Sequence, residues 1–276
     1  MKTCKKTLIL ASLFSFAFLL HSCDKEDDAQ AAVDFSAEDA ALAAKADTAI
    51  EGTLTIMENA YDENEEATRG QNSISLFPGC TTITINPNGD GTGTVILDFG
   101  TGCTLNNGAT VSGKINLAYE AIVNDSRILN YTFDNYFYNG NGVAGGGEIL
   151  REFSNANGFP ASTVNETITV SFPNSTTTAT RNGLRIAEWV EGVGSGTWTD
   201  NVYHITGNWD TTFTNGFERS GLVTETLVRR LNCPYLVSGI LEVTQDGLTG
   251  SLDFGDGECD AQAIFAFNGV DYTVFL

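Results

Sequence analysis

Histidine is nearly absent from this chain: His21 and His204 are the only two in 276 residues. Imidazole-based chemistry therefore has little to draw on. His204 sits in Tyr203-His204-Ile205, inside an apparent strand, where a structural role outweighs that of a catalytic base. Gly194-Ser195-Gly196 lacks the G-x-S-x-G frame, since position 193 is Val. Basic residues are scarce as well. The chain has 14 Lys+Arg against 35 Asp+Glu, a formal net charge of −21. That leaves no basic footprint for phosphates, so nucleic acid is excluded as a partner. Docking on anionic lipid by charge is excluded for the same reason. No apolar run reaches the ~20 residues that span a bilayer as a helix. No two cysteines stand at C-x-x-C spacing, which disfavours a structural zinc site.

What is present begins at the amino end. Met1-Lys2-Thr3-Cys4-Lys5-Lys6 is basic, and an apolar run follows from Leu8 to Leu20. A basic start and an apolar stretch of this length read as a secretory signal, residues 1–22. Leu19-Leu20-His21-Ser22-Cys23 resembles a bacterial lipobox, which implies that Cys23 is the lipid-bearing first residue of the mature chain. Removal of residues 1–22 takes three lysines and no acid, leaving 11 Lys+Arg against 35 Asp+Glu. The expected link to the membrane is thus covalent, through lipid on Cys23. One acyl chain holds only marginally, and two or more hold stably. Asp24-Lys25-Glu26-Asp27-Asp28 opens an acidic tether, residues 23–35.

Residues 36–72 are expected to form a helical segment and a polar loop. Ser36-Ala37-Glu38-Asp39 resembles a capping box with Asp in place of Glu or Gln. Leu42, Ala46, Ala49, Ile50, Leu54, Met57 and Tyr61 form one apolar stripe at helical spacing, read as a packing face. Gly52 weakens the middle, so one helix or two fit the pattern. Asp62 to Asn72 reads as loop.

From Ser73 onward Thr, Gly, Asn and aromatics dominate, and apolar residues alternate with polar ones. Val111, Ile115, Leu117 and Tyr119 share one face; so do Val164, Ile168, Val170 and Phe172. Such alternation marks antiparallel strands with one wet face. Turn signals such as Asn106-Asn107-Gly108 and Asn139-Gly140-Asn141-Gly142 recur between them. The fold class expected for residues 73–276 is all-β, a long antiparallel meander forming a sandwich or a curved half-barrel in one domain.

A repeat lies inside that domain. Leu97-Asp98-Phe99-Gly100-Thr101-Gly102-Cys103 recurs as Leu252-Asp253-Phe254-Gly255-Asp256-Gly257-Glu258-Cys259, with one inserted residue. Each copy follows an upstream cysteine and a hairpin, which defines modules at about 77–119 and 231–276. Once Cys4 leaves and Cys23 carries lipid, Cys80, Cys103, Cys233 and Cys259 remain. An even number outside the cytoplasm favours disulfides. Four cysteines allow three connectivities. Cys80–Cys103 and Cys233–Cys259 are preferred, because the spacings are similar and each pair stays within one module.

The acidic lipoprotein start, the short N-terminal helical part and the two D-F-G-x-G-C elements together resemble a group of Bacteroidota outer-membrane lipoproteins. The likeness implies an anchored protein facing the cell surface, and it carries no assigned activity.

No catalytic set emerges. Asp98-Phe99-Gly100 and Asp253-Phe254-Gly255 spell a kinase triplet, but no H-R-D loop or lysine strand accompanies them. Asn86-Pro87-Asn88-Gly89-Asp90-Gly91 begins like a calcium loop, yet its twelfth position is Leu97. Asp253, Asp256, Glu258 and Asp260 form a denser carboxylate group that calcium would suit, although the first copy has Asp98 alone. No other cofactor is expected. A glycosidase would need two carboxylates, and Glu188, Glu191, Glu166 and Glu218 are the candidates. Trp189, Trp198 and Trp209, with Tyr131, Phe133, Tyr136, Phe137 and Tyr138, form a central aromatic group that either fills the core or stacks on sugar. The expectation is a non-enzymatic, lipid-anchored envelope or cell-surface protein with a binding or structural role and a glycan or envelope protein as partner. The alternative is a carbohydrate-binding module using Trp189, Trp198 and Trp209.

Overall fold

The computed structural model describes residues 36–68 and 74–276. The signal segment, Cys23 and the tether lie outside the described residues. A single helix, α1 (Ala37–Thr68), opens the fold. Ser36 caps it: Oγ accepts from Asp39 N at 3.2 Å, and its carbonyl accepts from Ala40 N at 3.1 Å. The helix runs through Gly52 without a break and takes in Asp62 to Thr68, which the sequence pattern had assigned to a loop. Glu63 helps explain the extension, since its carboxylate binds the returning chain at Leu76 N (2.6 Å) and Ser75 Oγ (2.5 Å). Gly52 has a packing role. A Cβ there would lie 2.2 Å from Cζ of Tyr138, so the missing side chain lets that ring lie against the helix.

The rest of the chain is one antiparallel sheet. Its strands are β1 (Thr82–Pro87), β2 (Gly93–Asp98), β3 (Cys103–Thr104), β4 (Thr110–Tyr119), β5 (Ser126–Tyr138), β6 (Asn141–Glu152), β7 (Ala161–Ser171), β8 (Thr178–Glu191), β9 (Val202–Phe213), β10 (Glu218–Arg230), β11 (Leu236–Gln245), β12 (Leu248–Asp256), β13 (Gln262–Phe267) and β14 (Val270–Phe275). Spatial order follows chain order from β1 to β14, except that β3 pairs only with β4. Among the described residues the strands form one open sheet, not closed into a barrel. Each turn joins adjacent antiparallel strands, which is why the turn signals are so regular.

The helix lies in the concavity. Its stripe of Leu42, Ala46, Ala49, Ile50, Leu54, Met57 and Tyr61 is buried throughout. Against it pack Leu97, Ile115, Leu117, Leu129, Tyr131, Ile168 and Val170 from β2, β4, β5 and β7. Each such side chain contributes ~1.5–3 kcal/mol by leaving water. A second, smaller cluster lies beneath the later strands and includes Trp189, Tyr203, Ile205, Leu227, Phe254, Ala263 and Val274. None of its buried members comes from α1.

Both modules close with the preferred disulfides, Cys80–Cys103 and Cys233–Cys259. Both turns also share one device. Asp98 Oδ1 accepts from Gly100 N, and Asp253 Oδ1 accepts from Gly255 N, each at 2.9 Å. The aspartate thus caps its own turn, and the following Phe99 or Phe254 drops into a core.

Candidate functional site

The densest chemistry lies between α1 and the concave face. On the helix, Asp47, Glu51, Glu58 and Asp62 follow one another at intervals of four, seven and four residues, beside the apolar stripe. They span ~22 Å of helix at 1.5 Å per residue. Facing them are Arg151 on β6, Arg181 and Arg185 on β8, and Arg219 on β10. Residues 181 and 185 are an even number apart on one strand, so both point inward.

The pairs follow one another along the helix. Arg219 binds Asp47. Arg181 reaches Glu51 Oε1 through Nη2 at 2.6 Å and Glu166 Oε1 through Nε at 2.7 Å. Arg185 donates to Glu51 Oε2 at 3.1 Å and to Glu58 Oε1 at 2.5 Å. At the far end Asp62 accepts from Arg151 Nη2 at 2.6 Å and from the Tyr203 hydroxyl at 2.7 Å. The side chains of Asp62 and Arg151 are each only 2% exposed, whereas 42% of the Glu51 side chain meets solvent. The row is therefore sealed at the Asp62 end and open near Glu51.

Burial alone would push the Glu51 carboxyl up. The Arg181 and Arg185 guanidiniums outweigh that and hold it below the ordinary carboxylate range. Glu166 goes the other way. It projects inward from β7, and its burial raises it despite Arg181, with the Glu51 charge adding to the rise. Burial and the neighbouring Asp62 carboxylate push the Tyr203 hydroxyl well up, so it stays a proton donor. Chemically, these groups are committed to one another. Arginine forks suit this arrangement, because one guanidinium can satisfy two carboxylates in fixed geometry.

Trp209 belongs to the same row. Arg181 and Arg219 lie over its ring, at 4.9 and 5.2 Å from the centroid. Its neighbours across the sheet are Gly183 and Gly221. A Cβ at Gly221 would come within 2.4 Å of the indole, so that glycine gives the ring its bed. Trp189 is 2% exposed and stacks on Tyr203 at 6.3 Å between centroids; Trp209 is 8% exposed. Of the two roles weighed for these rings, Trp189 and Trp209 take the core position, while Trp198 is half-buried against both clusters.

The remaining candidates are dispersed. Glu188 sits opposite His204 in the β8–β9 register and accepts from Asn155 (2.5 Å) and Asn157 (2.7 Å). Strand parity puts it on the face opposite Arg181 and Arg185, while Glu166 points inward, so these two carboxylates do not face each other. Ser195 donates to Asp200 at 2.9 Å. Asp253, Asp256, Glu258 and Asp260 are not gathered around a common point. Asp253 caps the Gly255 turn, and Asp260 accepts from Gln262 N at 3.0 Å. Among the described residues no group of three or more metal-binding side chains converges. Sequence reading missed the ion row. The available signal was the 4-7-4 spacing of acids beside the apolar stripe, together with two arginines four apart in a strand.

No protein family, curated protein or solved structure matches this chain.

Proposed function

We propose that this chain is a lipid-anchored protein of a bacterial outer membrane, displayed toward the cell surface, with a binding or structural role and no catalysis. The observation that carries the reading is the order of elements at the amino end. A basic start and an apolar run lead to Cys23, an acidic stretch follows, and the capped helix begins directly after it. Twelve residues separate Cys23 from Ser36. At ~3.4 Å per extended residue they could hold the body up to ~45 Å from the lipid surface. In this arrangement α1 is the element that any pull on the anchor reaches first. Four of its acids are bound to sheet arginines, which supports its use as the fastening of the tether to the body. The commitment of those carboxylates to arginine also supports a structural use for them over proton transfer.

Metabolic labelling with a fatty acid tests the anchor. Label is expected on the wild type and lost with Cys23→Ala; an unmodified amino end in the wild type would refute it. Protease shaving of intact cells tests the side, with loss of the body expected. Turnover of any glycan or peptide in a broad screen would overturn the non-catalytic part.

A further inference from the structure

The convex face carries a second feature, where β3, β4 and β5 meet beside the Cys80–Cys103 bridge. An open groove of about 410 Å³ lies there, within the ~300–1,000 Å³ range of small-molecule sites. Phe137 lines it and is 43% exposed, although it lies in a strand well inside the sheet and not at its edge. Its position has a backbone cause. Leu129 and Tyr131 of β5 point inward, and continued alternation would send residue 137 inward too. An extra residue intervenes. The register passes from Lys114↔Asp134 to Ser112↔Phe137, a β-bulge in which Asn135 adopts φ 47°. The bulge exchanges the two faces, so Tyr136 and Tyr138 enter the core and Phe137 turns out. The residues paired with Phe137 on either side are Ser112 and Gly142, both small, and the ring lies over the bare Gly142.

The rest of the lining is four hydroxyl side chains, two glycines, the bridged Cys103 and Val111. Thr101, Thr104, Thr110 and Ser112 border the groove with Gly102 and Gly140, and none of the lining residues is charged. In a chain of net charge −21 an uncharged groove is a selective feature. The second module shows the contrast. Where the first has Gly100-Thr101-Gly102-Cys103-Thr104, the second has Gly255-Asp256-Gly257-Glu258-Cys259-Asp260, with carboxylates in place of hydroxyls. Hydroxyls both donate and accept, as sugar hydroxyls do, while an ionised carboxylate only accepts. An exposed ring beside them offers an apolar floor for the C–H face of a pyranose.

We infer that the groove floored by Phe137 is a binding site for a neutral oligosaccharide. This deepens the binding role proposed above and places it away from the three tryptophans. The test uses the full chain extracted from membranes in detergent, probed with immobilised neutral glucan, mannan and galactan hexamers and with uronic-acid and sulfated glycans. Binding to at least one neutral hexamer is expected. Phe137→Ala should weaken it at least tenfold, and Thr104→Asp, which adds a carboxylate at the rim, should weaken it comparably. Phe275→Ala, at a 71% exposed ring on the far edge of the sheet, should leave it unchanged. Thermal midpoints within about 2 °C of wild type would show that both groove variants fold. Absence of binding to every neutral hexamer, binding to charged glycans alone, or full affinity in folded Phe137→Ala or Thr104→Asp would overturn the inference. The mass of the amino terminus in the same preparation reports on the lipid anchor separately, so either idea can fail alone.

Discussion

The two modules share a sequence signature, a disulfide and an aspartate-capped turn, yet they live in different surroundings. In the first, Leu97 and Phe99 are 0% and 1% exposed, and Phe99 lies 5.9 Å from Tyr136 in the core that receives α1. In the second, Leu252 is half-buried and Phe254 joins the smaller cluster, to which α1 contributes no buried apolar residue. Strands β2 and β7 alternate cleanly between buried and open, while β10 to β12 have long stretches of half-buried positions. Similar local chemistry therefore yields different stability contributions. What decides is whether the helix lies over the strand.

The largest expected effect comes from unfastening the helix. Glu58→Ala leaves Arg185 buried with one partner fewer, and should cost about 3–5 kcal/mol in urea unfolding. Replacing Glu58 and Arg185 together by methionine should recover part of that loss, because the desolvation of both charges disappears. Removing either disulfide comes next. The bridged residues are separated by 23 and 26 positions, so each bridge should contribute about 3 kcal/mol by restricting the unfolded chain. Equal losses would show that the bridges stabilise through loop closure and not through their different surroundings. Leu97→Ala and Leu252→Ala then probe the surroundings directly. We expect about 3 kcal/mol for the first and about 1 kcal/mol for the second; equal costs would undo the contrast between the modules.

The smallest effect is the pH dependence. Glu51 is held below its ordinary value of 4.5, so its stabilising contribution is present above that pH and is lost as the pH falls through its folded-state value. The urea midpoint should therefore drop on acidification below about 4.5, and Glu51→Gln should flatten that part of the profile. Glu166, shifted the opposite way, does not add to this acid loss.

Much of the architecture was legible because it is local. Period-2 alternation, regular turn signals and the absence of long helical patterns after residue 73 marked a meander, and the apolar stripe from Leu42 to Tyr61 marked the helix face. The disulfide pairing followed from the repeat. The length of the helix was less legible. Asp62 to Thr68 is polar and reads as loop, and a long-range bond from Glu63 to Leu76 and Ser75 accompanies the extension. The outward turn of Phe137 was hidden for a related reason. Alternation assigns a face only while the register is unbroken, and the bulge at Asn135 reverses it.

By itself, the sequence determined the all-β meander, the face of the helix and a preference among the sulfur bridges, since these depend on neighbours along the chain or within one module. The tertiary structure alone decided which acids were buried, which strands became core and which ring faced outward. The first two outcomes depend on where α1 comes to rest against strands distant in sequence, as in the contact of Glu51 with Arg181, and the third on the bulge at Asn135; no local pattern records either.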